Sequence, residues 1–319
     1  MSWLRHLRAL WNARALDCPR FVWAILIGLR PLPWPWAERL LQASFPVRAL
    51  VRPRDFQRAL AWAGAQPGVT SRWRLALALS AYEGRFVARN SLLGIRTPAQ
   101  LRRLETVHGT EHLTGASHGM ILLGFLAGPR LSWLALRVSG HRLTWLGGRP
   151  SPLWRSPIRQ GYLDGRGDLI LSTGAVDSVR ILRHAERILR AGGSVFMNAD
   201  GTGPGAFSVP LAGRPIVIQR GWLALRRLTG ATVLPVLSHM EGLRQVVTIY
   251  PPLPPPVDDP ALDVENCRRA LGELLAAFIA RHPEQCALVA FDRGGGAHMP
   301  DEAAQRGQVS RAAILEPEA

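Results

Sequence analysis

Apolar and polar positions alternate along most of this chain in two different periods. Short, nearly unbroken apolar runs occur at 119–124 ("GMILLG"), 142–147 ("RLTWLG"), 168–173 ("DLILST"), 194–200 ("SVFMNAD"), 232–238 ("TVLPVLS") and 244–253 ("RQVVTIYPPL"). Runs of this length bounded by Gly, Pro or Asp read as buried strands. Between them lie segments of helical spacing: 133–140, 178–193, 220–230 and 266–281. In the second, Leu182 and Leu189 share one face and a Gly pair at 192 and 193 stops the helix. Such alternation predicts a mostly parallel sheet flanked by helices, an α/β fold whose ligands sit beyond the carboxyl ends of the strands. Those ends are Gly124 onward, Asn198 to Asp200, and Ser238 with His239.

Residues 55–95 read as helical, so residues 1–100 are expected to form an N-terminal helical region. An α/β domain over 101–293 and a flexible tail over 294–319, rich in small and polar residues, follow. "YPPLPPPVDDP" (250–260) reads as a proline-rich connector. The first fifty residues hold Trp3, Trp11, Trp23, Trp34 and Trp36 among seven arginines. Tryptophan favours the water–lipid boundary, and arginine reaches lipid phosphates while its stem lies on apolar surface. The apolar piece "FVWAILIGL" (21–29) has nine residues, against the roughly 20 that a bilayer core requires. Prolines at 31, 33 and 35 follow it, and no small-residue cleavage site is present. This predicts an interfacial, monotopic anchor.

Composition sharpens the list of partners. The 319 residues carry a formal charge of +16, and every one of the 39 basic residues is arginine. An anionic partner follows from that balance. The arginines are dispersed, and no zinc finger, RNP motif or basic region occurs, so nucleic acid is not the expected partner. Cys18, Cys267 and Cys286 show neither metal-ligand nor disulfide spacing, which predicts reduced thiols and no metal site.

Three motifs together resemble the bacterial lipid A late acyltransferases, within the wider lysophospholipid and glycerolipid acyltransferase superfamily. They are "HGTEHL" (108–113) leading to "HGMILLG", the stretch "GGSVFMNADGTGPGAFSVPLAGRPIVIQRGWLALRRLTGATVLPV" (192–236), and "RHPEQCALV" (281–289), where Cys286 replaces a family tryptophan. The resemblance implies acyl transfer from acyl carrier protein or acyl-CoA to a membrane lipid, without a cofactor. It also implies a place at the cytoplasmic face of the inner membrane. The family's catalytic motif is a His, four residues, then an acid, directly after the strand matched by "MILLG". A carboxylate near an imidazole on the first helical turn orients it to take a proton from an acceptor hydroxyl.

Here the matching segment is "LAGPRL": Leu126 replaces the His and Leu131 the acid, while Gly128 matches the family glycine. Neither leucine accepts a proton. None of the nine histidines has an acid five residues on; for His118 the partner is Leu123. Two readings remain: an enzyme using another base, with Asp200 or His239 as substitutes, or a pseudoenzyme that binds lipid in a groove floored by Phe125, Leu126 and Leu131. Asp200 matches the family Asp after its strand and precedes the glycine-rich "GTGPG". The resemblance further implies substrate-binding roles for Gly128, Arg155, Arg159, Asp200, Gly213 and Arg214, while Glu284 reads as a structural residue that caps or ties down the last helix.

Overall fold

The computed structural model describes residues 33–47, 53–92, 98–114, 119–129, 132–147, 169–171, 175–201 and 205–291. The 21–29 segment, His118, Leu131, Arg155, Arg159 and the 294–319 tail lie outside them.

Seven strands form one sheet: β1 (Glu105–His108), β2 (Met120–Gly124), β3 (Thr144–Gly147), β4 (Leu169–Leu171), β5 (Ser194–Asn198), β8 (Thr232–Glu241) and β9 (Arg244–Ile249), in the order β1-β9-β8-β2-β5-β3-β4. From β8 to β4 every neighbouring pair is parallel. β9 reverses against β8, and β1 runs parallel to β9. The expected α/β architecture with a mostly parallel sheet is therefore present. A small antiparallel hairpin, β6 (Phe207–Val209) and β7 (Ile216–Ile218), stands beside it. It falls inside a stretch that the apolar pattern leaves unassigned, as does β1.

β2 is central, and its continuous apolar run follows from burial on both faces. Ile121 and Leu123 join the larger core, and Leu122 joins the smaller one on the other side. The larger core packs the sheet against α2 (Pro53–Gly64), α3 (Arg72–Leu92), α6 (Ala175–Arg190), α7 (Gly221–Thr229) and α8 (Pro260–Arg281). The smaller one lies beneath α5 (Ser132–Val138) and Leu101 of α4 (Pro98–Arg102), with Trp133 stacked on Trp145 at 4.7 Å. The N-terminal helices α2 and α3 thus share the core of the sheet. The helical stretch read at 55–95 is broken over residues 65–71, where Pro67 and Gly68 (φ +75°) turn the chain. The first described helix, α1 (Trp34–Ser44), docks on α3 through the Glu38–Arg85 ion pair. Gly84 admits the close approach: a Cβ there would lie 2.5 Å from the Leu41 carbonyl oxygen.

The final helix starts earlier than its apolar spacing predicts. Pro260 occupies its first turn, and the Asp259 carboxylate accepts the Ala261 N–H at 2.8 Å. A short helix, α9 (Ala287–Ala290), closes the described chain.

Candidate functional site

β2, β5 and β8 are hydrogen-bonded neighbours, and Gly124 stands level with Asn198 on one side and Val236 on the other. The chain leaves β2 at Gly124 into residues 125–129, which are buried and not helical; α5 begins only at Ser132. The expected helical turn directly after this strand is thus not formed. Gly128 has φ +83° and precedes Pro129, which disfavours helical geometry in the residue before it.

This segment is held at three points. The Leu126 N–H donates to Asp200 Oδ2 at 2.6 Å, across 74 residues of sequence. The Ser238 hydroxyl donates to the Pro129 carbonyl at 2.9 Å, lies 2.9 Å from Ser132 Oγ and accepts from Gln245 Nε2 at 3.4 Å. Gly128 lies against the Ser238 carbonyl, where no side chain fits. Phe125 and Ala127 belong to the larger core, and Leu126 is buried. Phe125 therefore sits packed among core side chains and forms no open groove floor.

Asp200 follows β5 and forms an antiparallel bridge with Ile218 of β7. The Gln219 N–H donates to the Ala199 carbonyl at 2.8 Å and the Gly201 N–H to the Val217 carbonyl at 3.0 Å. The aspartate is thus seated between the sheet and the hairpin, with a carboxylate oxygen on the 126 backbone. Removing that acceptor leaves a buried N–H unpaired. Asp200→Ala should lower stability by about 2 kcal/mol in urea denaturation, and Asp200→Asn, which keeps an acceptor oxygen, by less.

Gly213 and Arg214 lie elsewhere. They form the turn between β6 and β7, at the end of the hairpin away from Asp200. Gly213, at φ +78°, packs against Trp62, Ala65 and Gln66, and Gln66 Nε2 donates to the Ala212 carbonyl at 2.9 Å. The hairpin tip is thereby fastened to the α2 end.

β8 continues past its expected end to Glu241, because β9 pairs with it antiparallel from Val236↔Ile249 to Glu241↔Arg244. His239 is therefore inside a strand. Its Nε2 lies 2.9 Å from Glu241 Oε1, and its ring stacks on His282 with centroids 4.2 Å apart and planes at 18°. Phe278 packs on the other histidine at 5.2 Å. The hydrogen bond to His239 holds the Glu241 carboxyl below its usual range. Burial, followed by the charge of His239, pushes the His282 imidazole down. Sequence spacing did not reveal this pair: an acid five residues on is a helical criterion, whereas residues two apart share a face of a strand.

Gln285, not Glu284, ties down the end of α8. Its Oε1 accepts the Met240 N–H at 2.6 Å and its Nε2 donates to the Met240 carbonyl at 3.1 Å. Glu284 accepts from Gln285 Nε2 at 3.3 Å. The Cys286 thiol is fully buried and far above its usual range through desolvation, so it is not a nucleophile. Among the described residues no cluster of His, Cys, Asp or Glu could hold a metal ion.

No family profile and no curated protein matches the chain. Among solved structures it is similar to the 1-acyl-sn-glycerophosphate (LPA) acyltransferase PlsC from Thermotoga maritima. The two share 16% identity over 75% of this chain and 96% of that chain, with a TM-score of 0.39. A likeness of that size assigns no activity to this chain.

Proposed function

We propose that this protein binds acyl lipids or an acyl thioester at the carboxyl edge of its sheet, on a membrane surface, and that residue 126 takes no part in proton transfer. The observation that carries the chemical half is the segment 125–129. It holds a buried leucine where the motif resemblance implies an imidazole, and the Asp200 carboxylate is occupied by that leucine's backbone.

The membrane half is supported by the outward sides of α1 and α3. Trp36 and Leu40 stand one helical turn apart on α1, and Trp73 and Leu77 do so on α3; all four are exposed, with Val47 nearby in sequence. The Arg39 guanidinium lies 5.8 Å from the Trp36 ring centroid. Exposed tryptophan beside arginine suits a lipid interface, and the net charge of +16 suits an anionic one. Among the described residues no helix is long and apolar enough to cross a membrane, which fits a peripheral or monotopic attachment. On this reading the partners are membrane lipids, the acyl donor is acyl carrier protein or acyl-CoA, and attachment is to the cytoplasmic face of the inner membrane.

Cosedimentation with phosphatidylglycerol vesicles tests the surface. The wild type should bind, and Trp36→Glu with Trp73→Glu should weaken binding at least about tenfold without changing the urea midpoint. Equal binding to neutral vesicles, or tighter binding to DNA, would overturn the reading. Leu126→Ala should leave thioester turnover unchanged, which checks the chemical half.

A further inference from the structure

The segment that lost its imidazole has an imidazole beside it. The Gly128 backbone abuts the Ser238 carbonyl of β8, and a Cβ on Gly128 would lie 3.2 Å from Phe278 Cζ. Phe278 touches His282, and His282 stacks on His239. β8 is the hydrogen-bonded neighbour of β2, and adjacent strands lie about 4.8 Å apart. A histidine leaving β8 near its carboxyl end is thus one strand from the place where the motif resemblance puts one after β2.

We propose that His239 is the proton acceptor of a hydroxyl-bearing lipid substrate at this edge, positioned by Glu241 and backed by His282. This rests on the acyl-binding reading above. The geometry separates the roles. The exposed Glu241 carboxylate accepts the Nε2–H of His239, which fixes the tautomer and leaves the Nδ1 lone pair for a proton. Nδ1 has no hydrogen-bond partner among the described residues. His282 stacks on His239 from the end of α8, and burial, followed by the charge of His239, pushes the His282 imidazole down.

The surrounding charges are few. Arg281 and Glu284 act on His282 from the end of α8 and the turn after it, and His108 of β1 acts on Glu241. Arg244 stands opposite Glu241 on β9.

The step balances without a cofactor. Nδ1 takes the proton of the acceptor hydroxyl while its oxygen bonds to the thioester carbonyl carbon. The C–S bond then breaks, sulfur leaves with the electron pair, and the Nδ1 proton passes to it, restoring the neutral ring.

The test uses the full chain, in detergent micelles and on phosphatidylglycerol vesicles carrying a hydroxyl-bearing lysolipid. Palmitoyl-CoA and palmitoyl acyl carrier protein serve as donors, and thiol release is followed. His239→Gln should lower the rate at least about a hundredfold while vesicle binding and the urea midpoint stay as in the wild type. Glu241→Ala removes the acceptor that orients the His239 ring, so kcat should fall with KM little changed, and Glu241→Gln, which keeps an acceptor oxygen, should restore part of it. Imidazole NMR should show His239 in the Nε2–H tautomer. Full turnover by His239→Gln, no thiol release by the wild type in either medium, or the opposite tautomer would each overturn the proposal. In those cases retained vesicle binding leaves the membrane reading standing. Turnover in micelles without vesicle binding would sink the membrane reading and keep the base.

Discussion

Gly128→Ala should be among the most destabilising single substitutions in this chain, costing about 4 kcal/mol or more in urea denaturation. Two independent penalties meet there. At φ +83° an L side chain is strained. Its Cβ would also lie 1.9 Å from the Ser238 carbonyl oxygen, an overlap that only backbone movement relieves. The Ser238 hydroxyl anchors Pro129 next door, so the movement breaks the strap that holds residues 125–129 to β8. Gly140 supplies the control. It too has positive φ, +97°, but a Cβ there meets nothing within 4 Å. Gly140→Ala should therefore cost only about 1 kcal/mol, the strain alone. Equal costs at the two positions would show that the close approach at Gly128 is not made.

The second large effect is expected at Asp263, in the buried charge cluster that joins α7, the proline-rich connector and α8. The Arg226 and Asp263 side chains are 3% and 2% exposed, with Nη1 and Oδ1 3.6 Å apart. Arg226 also donates to Cys267 Sγ at 3.0 Å and to the Pro254 carbonyl. Arg227 reaches the other Asp263 oxygen at 3.5 Å. Asp263→Ala strands the Arg226 guanidinium in the interior without its counter-charge, at a cost of about 3–5 kcal/mol. An Arg226→Met, Asp263→Leu pair removes both charges and should recover much of that loss, because neither ion remains to be desolvated. The comparison of single and double variants by chemical denaturation measures the coupling. Additive losses would mean that the two side chains do not interact.

Much of this architecture was legible in the pattern of apolar residues. The runs at β2, β5 and β8 are short and continuous because central parallel strands are buried on both faces. The helices between them show their period because each has one dry face. Glycines at 140, 192 and 230 mark helix ends, and all three have positive φ. That position 126 offers no proton acceptor was equally plain, since a leucine side chain carries no lone pair.

The site was less legible, for reasons of dimension. Asp200 and Leu126 meet across 74 residues through a backbone N–H, a donor that every residue but proline carries and that leaves no mark in a sequence. Gln285 reaches Met240, and Ser238 reaches Pro129, by side-chain bonds to backbone of the same kind. Helical spacing does not pair Glu241 with His239, because whether residues two apart share a face depends on the element that carries them. That element in turn depends on β9: only Gly242 and Leu243 separate it from β8, too few for a parallel crossover, so the strand returns antiparallel and extends its neighbour through His239.

By itself, then, the sequence determined the elements, the parallel core of the sheet and the absence of an acid–base pair at positions 126 and 131, because these rest on local period and side-chain chemistry. The sequence also put His239 at a strand end, but tertiary structure alone decided what surrounds it, because His239, Glu241 and His282 become neighbours only when α8 packs against a lengthened β8.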